Sequence, residues 1–174
     1  MSILKVARMG HPVLRTRARA VDVGEIRSAQ FQALIDDMIA TMVEYEGIGL
    51  AGPQVHEGVR LFVAGIENEQ EKMRVLPFIN PVITPIGDEK EEGWEGCLSI
   101  PDIRGKVPRY TRVNIKALDR RDQPFELELS DFAARVVQHE TDHLDGLLFF
   151  DRIKDFHSLT YLEEYGRYHA EQKE

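Results

Sequence analysis

Gln138-His139-Glu140-Thr141-Asp142-His143 decides how the chain is read. It contains His-Glu-x-x-His, two histidines four positions apart with a glutamate beside the first. Residues at that spacing project from one face of an α-helix, one turn apart. Two imidazoles so placed can grip one divalent metal, and Glu140 can reach a water at the same ion. The motif points to metal-assisted hydrolysis with its general base on the same helix. The plain alternative is a solvated helix face without a metal. Against it, the upstream Asp131-Phe132-Ala133-Ala134-Arg135-Val136-Val137 favours a helix buried along one side. Ser130 is a good N-cap, Asp131 suits the positive end of the dipole, and Gly146 suits a terminator. Val136, His139, Glu140 and His143 fall on neighbouring helical positions, so the polar trio continues an apolar stripe and needs partners.

Outward from the motif, 174 residues suffice for one domain with a substantial core and hardly for two. Apolar content of 43% and charged content of 30% fit an ordered globular chain. The net charge of −8 argues against a basic nucleic-acid surface. The N-terminus carries Lys5, Arg8, Arg15, Arg17 and Arg19, but Gly10-His11-Pro12-Val13-Leu14 interrupts them with turn and core residues. No secretory signal pattern and no apolar run of membrane-spanning length occurs, so a cytoplasmic location without a membrane partner is expected. The single cysteine, Cys97, excludes an internal disulfide. It lies in Trp94-Glu95-Gly96-Cys97-Leu98-Ser99-Ile100-Pro101, which reads as an irregular segment able to aim a side chain.

Phe31, Leu34, Ile35, Met38, Met42 and Val43 predict a helix from about Ser28 to Glu46, ended by Gly47. Gly47-Ile48-Gly49-Leu50-Ala51-Gly52-Pro53-Gln54-Val55 reads as a loop or irregular edge. Strands are expected over Arg60 to Ile66 and Arg74 to Asn80, with Pro81, Pro85 and Gly87 breaking the chain before a solvated acidic turn, Asp88 to Glu92. Val113-Ile115-Ala117 and Phe125-Leu127-Leu129 alternate as a hairpin around Asp119 to Gln123. An apolar piece, Leu147 to Phe150, precedes a last helix near Leu159 to Ala170. Strands grouped before a central helix, with helices at both ends, indicate an α+β fold. The expectation is one catalytic domain, 1–174, with a helical tail from about residue 155.

Two histidines leave a catalytic metal short of its usual three protein ligands. Cys97 is the obvious third, because a thiolate binds zinc or ferrous iron well. Such a site can lower the pKa of water toward roughly 7. Glu140 would take the proton and pass it to the leaving amine. The Gln54 amide and the Leu98 backbone N–H are candidate donors to the developing oxyanion.

Three segments, Gly47-Ile48-Gly49-Leu50-Ala51-Gly52-Pro53-Gln54, Glu95-Gly96-Cys97-Leu98-Ser99 and Gln138 to His143, together resemble the signature motifs of peptide deformylases, in order. The likeness extends to Gly10-His11-Pro12-Val13-Leu14-Arg15 and Val107-Pro108-Arg109 and covers nearly everything up to about residue 153. It implies removal of the formyl group from N-formylmethionine on nascent polypeptides, giving formate. It also implies antiparallel strands wrapped around the motif helix. Cys97, His139 and His143 would hold Fe2+, replaceable by Zn2+, Ni2+ or Co2+. Glu140 would be the acid/base, with Gln54 and Leu98 stabilising the intermediate. Ile48, Leu98, Phe132 and Val136 would wall the methionine pocket, Gly49 would lie beside the peptide backbone, and Arg104 near its downstream end. Formylated nascent peptides are the implied partner and the ribosome a transient one, without any role carried over to the tail.

Two residues depart from the family pattern. Gly52 replaces a common alanine, which should loosen the loop carrying Gln54, and Arg135 stands where many bacterial members are apolar, which alters the pocket. A zinc peptidase is the rival enzyme, because Glu163 and Glu164 follow His143 by 20 and 21 residues and could supply its third ligand. A binding module with a structural metal is the non-enzyme rival, but such sites normally have four protein ligands.

Overall fold

A computed structural model describes residues 2–67 and 73–170. A single helical turn, α1 (Val23–Ile26), leads into helix α2 (Ala29–Glu44). The Ser28 hydroxyl caps α2 by accepting from the Phe31 N–H at 3.2 Å. Phe31, Ile35, Met38 and Met42 are buried, whereas Val43, expected in the same stripe, is exposed. One residue beyond Met42 is about 100° around the helix, off the buried face. The helix is stopped by Glu46, which adopts a φ of 53°, and not by Gly47. The Gly47 N–H then reaches back to the Met42 carbonyl at 2.8 Å.

Strands β1 (Gly49–Ala51), β2 (Leu61–Glu67) and β3 (Met73–Pro85) follow, then a long hairpin of β4 (Lys90–Cys97) and β5 (Ile100–Tyr110). Next come β6 (Arg112–Leu118), β7 (Pro124–Ser130) and helix α3 (Asp131–Leu144), and finally β8 (Thr160–Tyr161) and α4 (Leu162–Tyr168). All strand pairs are antiparallel: one sheet is ordered β1-β2-β3-β6-β7, the other β4-β5-β8. Leu61 and Val63 of β2 join the α2 core, while Phe62, Ala64 and Ile66 join the α3 core. Burial on both faces explains why β2 reads as a continuous apolar run. A third cluster, Leu14, Val107, Leu148, Phe149 and Ile153, surrounds Cys97. Helix α3 touches β1, β2 and β7 of the first sheet and β5 of the second, so strands wrap the motif helix as expected. No helix among the described residues is long and apolar enough to cross a membrane.

Several sequence expectations need correction. Strand β3 runs through Pro81 to Pro85, because a bulge at Asn80 (φ 50°) absorbs the proline. The Asn80 amide fastens that bulge to the Val21 backbone through two 2.8 Å bonds. The acidic run is not wholly a turn, since Lys90 to Glu92 open β4. The Cys97 segment is a hairpin rather than irregular backbone, with Cys97 paired to Ile100 across a two-residue turn. The last helix is shorter than expected and is preceded by β8 on β5. Residues 171–174 of the expected tail lie outside the described residues.

Candidate active site

Helix α3 sets the site. Ser130 occupies the N-cap position, but its hydroxyl makes no capping bond; instead Asp131 enters at φ 51° with its N–H on the Thr111 carbonyl at 2.8 Å. The C-terminus closes as the sequence implied. The Gly146 N–H bonds the His143 carbonyl at 3.2 Å and the Leu147 N–H the Asp142 carbonyl at 2.9 Å, with Gly146 at φ 76°. A Cβ on Gly146 would also fall 2.9 Å from the Arg15 carbonyl oxygen, so both backbone and space require glycine.

Cys97, His139 and His143 each offer a ligand atom, all within 4.8 Å of one another. Cys97 Sγ is 3.3 Å from His143 Nε2, which is 3.2 Å from His139 Nε2. His139 Nδ1 meets the Glu95 carboxylate at 2.9 Å. A carboxylate only accepts, so Nδ1 carries the proton and Nε2 presents its lone pair to the other two ligands. One thiolate and two neutral imidazoles suit a 2+ ion of the zinc or ferrous type. Among the described residues, Glu140 Oε2 and His143 Nδ1 are buried without a hydrogen-bond partner. The donor set and the orphaned carboxylate oxygen beside it fit a divalent metal.

The electrostatics agree. Burial alone would raise the Cys97 thiol, but His143 and His139 overrule it and hold it well below the ordinary thiol range. Burial would lower His139, yet Cys97 and Glu95 raise it well above the usual imidazole range. Burial pushes Glu140 up to about 7 against the pull of both histidines.

Behind the ligands lies a buried charge network that spacing does not reveal. Arg109 donates to both Glu95 oxygens, at 2.8 and 3.0 Å, and to Asp142 at 2.6 Å. Arg135 adds 3.0 Å to Glu95, and Arg152 grips Asp142 at 2.7 and 3.1 Å. Burial opposes the charge on Glu95, but His139 and Arg109 hold its carboxyl far below the usual range. One guanidinium thus links the partner of His139 to the residue preceding His143. The motif segments contain Glu95, Asp142 and Arg109, but only the fold reveals their pairing.

The opposite wall is built without charge. The Gln54 side chain accepts from the Ala51 N–H at 2.8 Å, and its Nε2 donates toward Cys97 Sγ at 3.5 Å and Ser99 Oγ at 3.3 Å. A Cβ on Gly49 would fall 2.7 Å from Glu140 Cδ, so the missing side chain makes room for Glu140 itself. A Cβ on Gly52 would fall 2.8 Å from the Glu57 carbonyl oxygen and 3.0 Å from that of Val59. Gly52 therefore packs the loop tightly, contrary to the loosening expected from sequence.

A cleft of about 510 Å³ opens between these walls. It is lined by Cys97, His139 and Glu140 together with Gln54, Leu98, Ile48, Gly49, Arg104, Phe132 and Val136, every expected site residue except the fully interior His143. Phe132 sits at the rim, 61% exposed. Sequence reading missed Arg8, Trp94 and Leu162 on the same cleft. Trp94 also holds the tail, with ring centroids 5.1 Å from both Tyr165 and His169. The peptidase alternative finds no support: Glu163 and Glu164 pair with Arg167 on α4 and are not in the metal-capable group.

Comparison with known proteins agrees with the geometry. The polypeptide deformylase family model matches residues 3–158. The chain is 41% identical over 168 residues to peptide deformylase 2 of Nostoc sp., covering 94% of this chain and 93% of that protein. It is 44% identical over 151 residues to the peptide deformylase of Chromohalobacter salexigens, covering 87% and 86%. Among solved structures it resembles the Met-Ala-Ser-bound class I type b peptide deformylase of Acinetobacter baumannii, with TM-score 0.82, 39% identity, and coverage of 88% and 100%. The Thermotoga maritima peptide deformylase gives TM-score 0.82 and 39% identity, with coverage of 89% and 100%.

Proposed function

The chain belongs to the polypeptide deformylase family and is a metal-dependent hydrolase that removes the formyl group from N-formylmethionine of nascent polypeptides, releasing formate; we propose that Cys97, His139 and His143 hold its metal and Glu140 moves its protons. A divalent ion held there supplies a Lewis acid for the formyl carbonyl and lowers the pKa of water. Fe2+ is the proposed resident metal, with Zn2+, Ni2+ or Co2+ able to substitute.

Glu140 Oε2 has no protein partner, and its pKa near 7 suits a group that must accept and return a proton at neutral pH. Glu140 takes the proton of the attacking water and delivers it to the amine nitrogen as the C–N bond breaks, so formate and a free amino terminus result. The Gln54 Nε2 and the Leu98 N–H donate to the oxyanion, each worth about 100- to 1,000-fold in rate. Glu95 keeps the His139 ring in one tautomer. Ile48, Leu98, Phe132 and Val136 receive the methionine side chain, while Gly49 and Arg104 flank the peptide. The whole chain acts as one catalytic domain, in the cytoplasm, on nascent peptides emerging at the ribosome.

The convergence of three ligand atoms beside an unpartnered glutamate at the floor of a cleft carries this reading. Its test is formate release from formyl-Met-Ala-Ser by protein purified anaerobically with Fe2+. Glu140→Gln should retain the metal by elemental analysis and lose about 100- to 10,000-fold in kcat. Cys97→Ala should lose the metal as well. Iron-loaded wild type inert toward the formyl peptide would sink the account.

A further inference from the structure

We propose that Arg135 is a specificity-determining residue that sets the depth of the pocket for the substrate's first side chain, an inference that rests on the deformylase reading above. Two cavities meet at this position. The catalytic cleft and a neighbouring cavity of about 190 Å³ share only Phe132 and Arg135 among their lining residues. Phe132 is 61% exposed and stands at the rim. The Arg135 side chain is only 13% exposed, so it forms the inner part of the partition.

The guanidinium is fixed in that place. It donates to the carbonyls of Val107 at 2.7 Å, Glu91 at 2.8 Å and Gly93 at 3.4 Å, and to Glu95 at 3.0 Å. Holding a guanidinium to three carbonyls and one carboxylate uses the rigid fork that distinguishes arginine from lysine. Gly93 leaves it the room: a Cβ there would fall 2.7 Å from the guanidinium carbon. An immobile plug between a substrate cleft and an adjoining cavity limits how long a side chain can enter. Shortening the plug joins the two spaces.

The experiment compares kcat/KM for formyl-Met-Ala-Ser with that for formyl-S-butylhomocysteinyl-Ala-Ser, whose side chain is methionine's lengthened by three methylenes. In Arg135→Ala the ratio should move by at least about 10-fold toward the longer side chain, chiefly through KM. Arg135→Gln should move it in the same direction by less, and Arg135→Met, unbranched and of similar reach, should leave it within about threefold of wild type. Loss of the contact to Glu95 slows both substrates alike and cancels in the ratio. Calorimetry with the product tripeptides Met-Ala-Ser and S-butylhomocysteinyl-Ala-Ser should show the same order without turnover. A ratio unmoved in a folded Ala or Gln variant overturns the role, as does failure of both to fold, which would make Arg135 a structural brace. Wild type inert toward formyl-Met-Ala-Ser would strike the deformylase reading instead.

Discussion

The two walls of the cleft are positioned by different physics. On the α3 and β4–β5 side, Glu95, Asp142 and three arginines form a buried network behind the metal-capable residues. On the β1 side, glycines and side-chain-to-backbone bonds place Gln54. Charges hold direction well but are costly to bury, so every member of such a network depends on the others. A glycine wall costs no desolvation, but it tolerates no added atom. The first wall should fail by losing stability and metal together, the second by losing catalysis or packing while the charges stay intact.

The sharpest way to break this contrast is Arg109→Met. It strands Glu95 and Asp142, and should cost about 3–5 kcal/mol in denaturant unfolding of the chelated protein. Metal affinity should fall by about 10- to 100-fold, because His139 loses its oriented partner. A cost below about 1 kcal/mol would mean that Arg135 and Arg152 suffice. Next in size is Gly49→Ala, which puts a methyl against Glu140. It should lower kcat by about 100-fold through displacement of that carboxylate. Metal content and melting temperature should hold; lost metal would mean that the glycine wall also supports the ligands. Gly52→Ala should cost about 1–3 kcal/mol, since its contacts are backbone oxygens rather than yielding side-chain tips. A neutral result by thermal melting would restore the loosening read from sequence.

The smallest effect probes an ion pair at the surface, where both mechanisms are absent. Asp151 accepts from the Leu148 N–H at 2.7 Å and pairs with Arg15, and these partners, against some burial, hold its carboxyl below the usual range. A lowered folded pKa means stability that is present above the unfolded value, about 3.9, and lost as pH falls through the folded one. Asp151→Asn should therefore cost about 0.5 kcal/mol at neutral pH, after discounting for solvent screening, and the difference should vanish in acid. A difference that persists at pH 2 would assign the loss to packing.

Sequence made one part of each wall legible. His139, Glu140 and His143 were readable because helical period puts them on one face, and Cys97 because it is the only thiol available to complete them. Gln54 and Leu98 followed from adjacent motifs. Glu95, Arg109 and Asp142 sit in those motifs, but pairing across 14 and 33 positions is a property of the hairpin and α3 docking, invisible to local spacing. The β4–β5 hairpin itself was hidden by Gly93, Gly96, Pro101, Gly105 and Pro108, residues that argue against a strand. Three of those glycines are there for clearance: a Cβ would strike Arg135 at Gly93, Arg104 at Gly96 and Ile153 at Gly105. Close passage of large side chains over the strand, rather than turn formation, explains them. Ser130 misled in the opposite sense, because tertiary pairing of Asp131 with Thr111 replaced the local cap.

Trp94 is the chain's only indole, and it lies on the cleft while edge-packed against Tyr165 of the tail. The molecule consequently carries a built-in optical probe: one emitter, needing no label, whose spectrum registers peptide entry on one side and detachment of the C-terminal segment on the other.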